Sequence, residues 1–310
     1  MTLTDSTYYE FPDRAVMWLQ SKIGPRLSRH GSPQEAVLAD LEAFGESQQL
    51  ARDAVASVAA SLEPGVTEIE AADRLDEYVR ERGAHNFVHR PFAWFGTHSR
   101  FDPYRRHFND YHPTSQRLEP DDVFILDVSP ITDDGYMGDV GYTGCLSPHA
   151  GLDEAKAFLD QLRETLPDLF LADLTPAEIW DETARNIESA GYDVCHADYP
   201  LRVLGHRIYR FSERQTRKPH GQLIRGPHGQ NWFSRLSYGR FLRYGVASEL
   251  LTPEHVGDVT GAWALEPHIG GQGFGAKFED FLIVTETSAR WIDDELAHRR
   301  ATEKAETNGS

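Results

Sequence analysis

Along this 310-residue chain, segments of helical spacing alternate with short apolar runs, several of them broken by single carboxylates. From Ala51 to Leu62 and from Thr67 to Arg82, apolar positions recur every three or four residues, which predicts a pair of helices. Thr67, with Glu70 three residues on, reads as a capping box at the start of the second. Another pair is predicted over Leu152–Leu171 and Pro176–Ala190, closed by Gly191. Ala15–Leu19 and Pro33–Phe44 suggest a helical extension over residues 1–45, and the polar end, 297–310, reads as a mobile tail. The span 46–296 is then one catalytic-size domain, with no linker dividing it. Each helix pair precedes strand-like runs, so an internal pseudo-repeat is expected.

Four of those runs carry acids: Val123–Asp127, Gly135–Val140, Trp263–Pro267 and Phe278–Val284. Carboxylates inside apolar strands are costly to bury unless a positive charge meets them. No Lys or Arg lies within these runs, so a shared metal centre is the economical explanation. Asp127 and Asp139 flank a turn signal at Asp133-Asp134-Gly135, and Glu266 and Glu279 flank Gly270-Gly271-Gln272-Gly273. Two hairpins would bring each pair together. With His206, in Leu204-Gly205-His206-Arg207, the donors form a hard, oxygen-rich set that favours Mn(II) or Fe(II) and is compatible with Co(II) or Zn(II). Such a site can hold two divalent ions about 3.5–4 Å apart, bridged by hydroxide. Any one of these acids alone is more often a surface residue or a strand end; the weight lies in five donors together.

The order Asp127, Gly135-Tyr136-x-x-Asp139, Gly205-His206, Leu265-Glu266-Pro267 and Phe278-Glu279-Asp280 resembles the methionine aminopeptidase, prolidase and creatinase family over roughly residues 45–290. Pro113–Asp122 resembles the segment before the first metal Asp of the prolidase branch. The resemblance implies an α+β pita-bread fold, a pseudo-symmetric curved antiparallel sheet flanked by helix pairs. It implies Asp127, Asp139, His206, Glu266 and Glu279 as ligands of two divalent ions, with Glu279 bridging both. The implied activity is that of a dinuclear metal-dependent hydrolase that cleaves a C–N bond of a small substrate, with Glu266 taking and returning the proton.

The chain also departs from the family pattern. The family's peptidases carry a substrate histidine before the first metal Asp. Here Asp110 falls at that place, with His107 and His112 near it. A second substrate histidine is replaced by Ser212 or Glu213, family glycines by Arg207 and Tyr209, and a Thr-Arg-Thr by Gly141-Tyr142-Thr143. Asp110, His112, Arg207, Arg210 and Ser212 are therefore the expected substrate contacts. Two rivals follow: a non-peptidase enzyme on the same fold (a lyase, an oxidative enzyme or a creatinase-like one), and a metal-retaining binding module.

Charge sharpens this. Residues 202–243 hold ten basic residues and one acid, a net of 10 − 1 = +9 within a chain of −18. That segment suggests Arg forks for an anionic substrate or short peptide, or equally a face that pairs with a second subunit. The overall −18 argues against nucleic acid. No apolar run reaches the roughly 20 residues of a membrane helix, and Met1–Pro12 shows no signal-peptide core. Cys145 and Cys195 make no disulfide framework, so a reducing cytoplasm is expected; the N-terminal extension reads as a dimer element or a lid, and a homodimer is expected. Gly270–Gly275 lacks the helix that a phosphate cradle needs. Phe87–His98, with His85, His89 and His98, reads as core aromatics in preference to a substrate wall. Ser129 and Ser212 have no nucleophile-elbow context.

Overall fold

A computed structural model describes residues 34–101, 111–199, 202–211, 250–253, 255 and 257–308. Helices α1 (Gln34–Ala39) and α2 (Leu41–Ala60) come first, and α2 buries Leu41, Phe44, Ala51, Ala54, Val55 and Val58 at helical spacing. α3 (Glu68–Arg80) starts at the expected capping box, in which Thr67 Oγ1 accepts from Glu70 N at 3.2 Å and Glu70 Oε2 accepts from Thr67 N at 2.8 Å. The second pair is α4 (Ala150–Leu171) and α5 (Pro176–Ser189). A further capping box, Thr175 with Glu178, opens α5, and Gly191 follows it at φ +85°. No helix among the described residues is long and apolar enough to cross a membrane.

The strands are β1 (Asn86–Phe87), β2 (Phe92–Phe95), β3 (Val123–Val128), β4 (Pro130–Ile131), β5 (Val140–Cys145) and β6 (Asp193–Val194). After them come β7 (Gly205–Arg207), β8 (Leu250–Leu251), β9 (Gly261–Leu265), β10 (His268–Gly270), β11 (Gly275–Lys277), β12 (Asp280–Val284) and β13 (Ala289–Trp291). β2-β3-β5 form one antiparallel sheet and β13-β12-β9-β7-β8 another. α2 and α3 pack Ala51, Val55, Leu75 and Val79 against Phe95, Phe124 and Leu126 of the first. α4 and α5 pack Leu159, Leu162, Leu166 and Ile187 against Trp263, Leu265 and Leu282 of the second. The expected pseudo-repeat of helix pair and sheet is thus present.

The acidic segments interrupt the ladders. Asp127 is the fifth residue of β3, and Asp139 immediately precedes β5, with Val128 opposite Val140 in register. The turn between them closes through Gly135 N donating to Thr132 O at 2.8 Å. Gly135 has φ +92°, and a Cβ there would lie 1.9 Å from Phe211 O, so only glycine fits. In the other half Leu265 pairs with Asp280, so Glu266 and Glu279 follow directly as neighbours. The ladder resumes beyond them between β10 and β11, since Pro267 has no N–H to donate.

Two boundaries differ from expectation. The boundary expected at residue 45 falls inside α2, which runs unbroken across it. Residues 297–308 of the expected tail continue α6 (Ile292–Asn308), where Arg300 lies 2.6 Å from Glu42 and Arg299 donates to Leu38 O at 2.8 Å. Those partners lie on the preceding helices, beyond the reach of local sequence reading. Residues 1–33 lie outside the described residues.

Candidate metal centre

Four carboxylates and two imidazoles converge where the two hairpins meet. Asp127, Asp139, Glu266 and Glu279 are all buried, as is His206 on β7. His206 Nε2 lies 3.0 Å from Asp139 Oδ2 and 3.9 Å from Glu279 Oε1. His89, from the loop between β1 and β2, joins them, with Nε2 3.4 Å from Asp127 Oδ1 and 3.6 Å from Asp139 Oδ1. Two three-donor groups result, His89-Asp127-Asp139 and Asp139-His206-Glu279, and Asp139 is common to both.

Lys277, just before the Phe278–Val284 run, supplies a positive charge that the sequence reading did not count. It is fully buried, and Nζ donates to Asp127 Oδ2 at 2.7 Å, Glu266 Oε2 at 3.0 Å and Glu279 Oε2 at 3.1 Å. A strand signal was available: Lys277 lies two residues before Glu279, the spacing that puts side chains on one face. Glu266 belongs to neither three-donor group and is tied to the set through Lys277. Gly141, opposite Asp127 in the ladder, makes room for this lysine, because a Cβ there would stand 2.5 Å from Lys277 Cε. Thr143 anchors the lysine's backbone, accepting from Lys277 N and donating to Lys277 O, both at 2.8 Å.

Supports from outside the hairpins hold the donors. Gln48 on α2 brackets Asp139, donating to its carbonyl and accepting from its N–H, both at 2.8 Å. Asp280, next to Glu279, is turned away from the centre by Arg52 at 2.8 Å and Arg163 at 2.6 Å. His206 and His89 each place Nδ1 near the carbonyl of the next residue, Arg207 at 3.1 Å and Arg90 at 3.0 Å, which leaves Nε2 directed at the acids.

The electrostatics show a deficit of positive charge. Burial opposes charge on Lys277, but Asp127 and Glu279 hold its ammonium well above the ordinary lysine range. Burial and then Asp139 push the Glu279 carboxyl well above the usual carboxylate range, and burial raises Glu266 as well. Asp139 is lowered despite burial by the His206 and His89 imidazoles beside it. Burial disfavours the His89 cation, yet Asp127 and Asp139 raise it to about 9. Among the described residues, one ammonium and two imidazoles face four packed acids. Asp127 Oδ1 and both carboxylate oxygens of Asp139 are buried without a well-aligned hydrogen bond, as befits donors turned toward a cation. The residues therefore fit divalent metal ions.

The expected substrate residues are placed unevenly. Arg207 is not brought to the acids. Strand alternation turns it away from His206, and its guanidinium lies 3.9 Å over the Trp263 ring and donates to Thr260 O and Asp258 O, both at 2.6 Å. Arg210 lies over Tyr136 and within 3.5 Å of Asp40. His112 is buried, one ring removed from the centre: its ring lies 6.2 Å from Phe92, which stacks on His89 at 4.9 Å. Asp110, Ser212 and the rest of the basic segment, 213–243, lie outside the described residues. His98 is a core residue bonded to Glu68 at 2.6 Å, and His85 meets Asp133 near the surface.

Comparison with solved structures finds this architecture in several peptidases. An X-Pro aminopeptidase from Thermotoga maritima matches with TM-score 0.58 and 15% identity, over 82% of this chain and 60% of that one. A dipeptidase, PepE, from Mycobacterium ulcerans matches at 0.56 and 20%, over 82% and 57%. A prolidase from Pyrococcus furiosus matches at 0.57 and 16%, over 82% and 63%. The chain thus spans less than two thirds of the length of these proteins. Comparison with the curated proteins found no match. The sequence itself matches metallopeptidase family M24 over residues 42–286, which takes in both helix pairs and every donor of the centre. With that match covering most of its length, and with the pita-bread fold of its structural neighbours, the chain belongs to the M24 metallopeptidase family.

Proposed function

We propose that the chain is a dinuclear metal-dependent hydrolase that cleaves a C–N bond in short peptides, in the manner of the X-Pro aminopeptidases and dipeptidases it is similar to. The observation that carries this reading is the pair of three-donor groups sharing Asp139, with buried oxygens turned between them. Among the described residues, and with both imidazoles neutral as ligands, four carboxylates less one ammonium leave three formal negative charges, more than a single dication cancels. Divalent ions held there would polarise a substrate carbonyl and lower the pKa of a water. Asp127, Asp139, His206 and Glu279 would hold the ions. Lys277 grips the outer oxygens of Asp127, Glu266 and Glu279 and so fixes where their other oxygens point. Glu266 carries a pKa raised by burial, which suits it to accept a proton and return it to the leaving nitrogen. Mn(II) or Fe(II), a cytoplasmic setting and a homodimer belong to the same proposal.

A non-peptidase reaction on this fold drew support from the lost substrate histidines, whose places at Asp110 and Ser212 lie outside the described residues, and from the bulk of Arg207 and Tyr209. Both pack away from the acids, Arg207 on Trp263 and Tyr209 against Phe211, so their bulk does not favour that rival. The test is hydrolysis of Xaa-Pro and Met-Ala peptides by chelator-stripped protein reloaded with Mn(II) or Co(II), beside Asp139→Asn. The expected outcome is activity that requires the ion and is lost in the variant. Fully loaded protein that cleaves no member of a broad peptide panel would refute the peptidase reading.

A further inference from the structure

We propose that His89 is a metal ligand in this chain, completing a second cation position with Asp127 and Asp139. This inference rests on the hydrolase reading above and deepens it. The family resemblance implies that Glu279 bridges both ions, one of them through the oxygen far from His206. In this chain that far oxygen, Oε2, is engaged by Lys277 at 3.1 Å, and only Oε1 faces a three-donor group. The place it leaves is taken by an imidazole nitrogen.

Three observations converge on His89. Its Nε2 stands 3.4 Å from Asp127 Oδ1 and 3.6 Å from Asp139 Oδ1. Ligands bound at about 2.0–2.2 Å lie about 3.3–3.6 Å apart across a tetrahedral edge, which both separations match, and the three donor atoms lie within 4.8 Å of one another. Both carboxylate oxygens are buried without a well-aligned hydrogen bond, although direct bonding to an N–H would have drawn them closer. The local build of His206 is also repeated here: Nδ1 sits by the carbonyl of the following residue, which fixes the tautomer that leaves Nε2 as the donor. Phe92 holds the ring by stacking at 4.9 Å, and its backbone pairs with Asp127 in the sheet. His89 is thereby oriented from both sides. An added imidazole makes this position softer than an all-oxygen one and widens its tolerance toward Zn(II) and Co(II).

The test titrates Co(II) into chelator-stripped full-length protein and counts ions per chain by elemental analysis and calorimetry. Two ions are expected in the wild type. His89→Ala should keep the first ion within threefold of wild-type affinity and weaken the second at least 100-fold. His85→Ala, whose ring meets the surface Asp133, should keep both. The Co(II)-loaded wild type should also show two solvent-exchangeable, paramagnetically shifted imidazole N–H signals by proton NMR, a reading that needs no variant. Retention of both ions by His89→Ala, or a single such signal in the doubly loaded wild type, overturns the role of His89 and leaves the hydrolase reading standing. A wild type that takes one ion overturns the second position; one that takes none overturns the hydrolase reading as well.

Discussion

Replacing Lys277 by Met removes the one ammonium set among three buried carboxylates. Its contacts at 2.7, 3.0 and 3.1 Å each represent about 5–6 kcal/mol of gross attraction at an effective dielectric of about 20. Desolvation of the four groups consumes most of this, so the intact cluster adds little net stability. Breaking it is different, because the acids stay buried with nothing opposite them, and such losses run to about 3–5 kcal/mol. For a chain of this size that corresponds to a drop of about 5–8 °C in melting temperature. The drop belongs to the metal-free protein. Divalent ions would supply the missing positive charge, so reloading with Mn(II) should recover most of it. The assay is thermal or urea unfolding of wild type and Lys277→Met, each with chelator and with Mn(II). A metal-free variant that melts within 2 °C of wild type would show that the lysine does not compensate these acids, and the electrostatic account of the centre would fall.

Gln48→Leu leaves the buried N–H and C=O of Asp139 unpaired, at about 1–3 kcal/mol each; calorimetry should show ion affinity falling about tenfold or more. Arg207→Met should lower the melting temperature by several degrees, through loss of its two carbonyl contacts and its stacking on Trp263, while KM for short peptides stays within twofold. A tenfold rise in KM would restore the substrate role that the sequence suggested. His196 is buried, and burial pushes its pKa down to about 3 from an ordinary 6.5. The unfolded chain therefore takes up the proton first. The stability of the neutral ring is whole above about pH 6.5 and is lost as pH falls toward 3, up to about 5 kcal/mol. Unfolding of chelator-treated wild type and His196→Asn across that window should show a shallower acid slope in the variant; equal slopes would refute it.

Much of the centre was legible because its signals are local. Single acids inside apolar strands, placed symmetrically about turn-forming residues, leave few arrangements that bury them, and Asp127 with Asp139 and Glu266 with Glu279 meet as the spacing implied. The helix pairs were readable for the same reason, since the spacing of α2 and the Thr67 capping box are written within a few residues. His89, Lys277 and Gln48 were not. Each looks ordinary among its sequence neighbours, and each acquires its role from a partner on another element. Arg207 was misread because adjacency to His206 in the chain means opposite faces in a strand.

The amino-acid order by itself determined which segments become helices and strands, which acids must be buried, and that the donors arrive as hairpin pairs, because periodicity and turn chemistry act over short distances. Only the tertiary structure decided which charges meet those acids. Lys277 reaches Asp127 across 150 residues and Gln48 reaches Asp139 across 91, and such proximity is set by how the two halves pack, which no local pattern encodes.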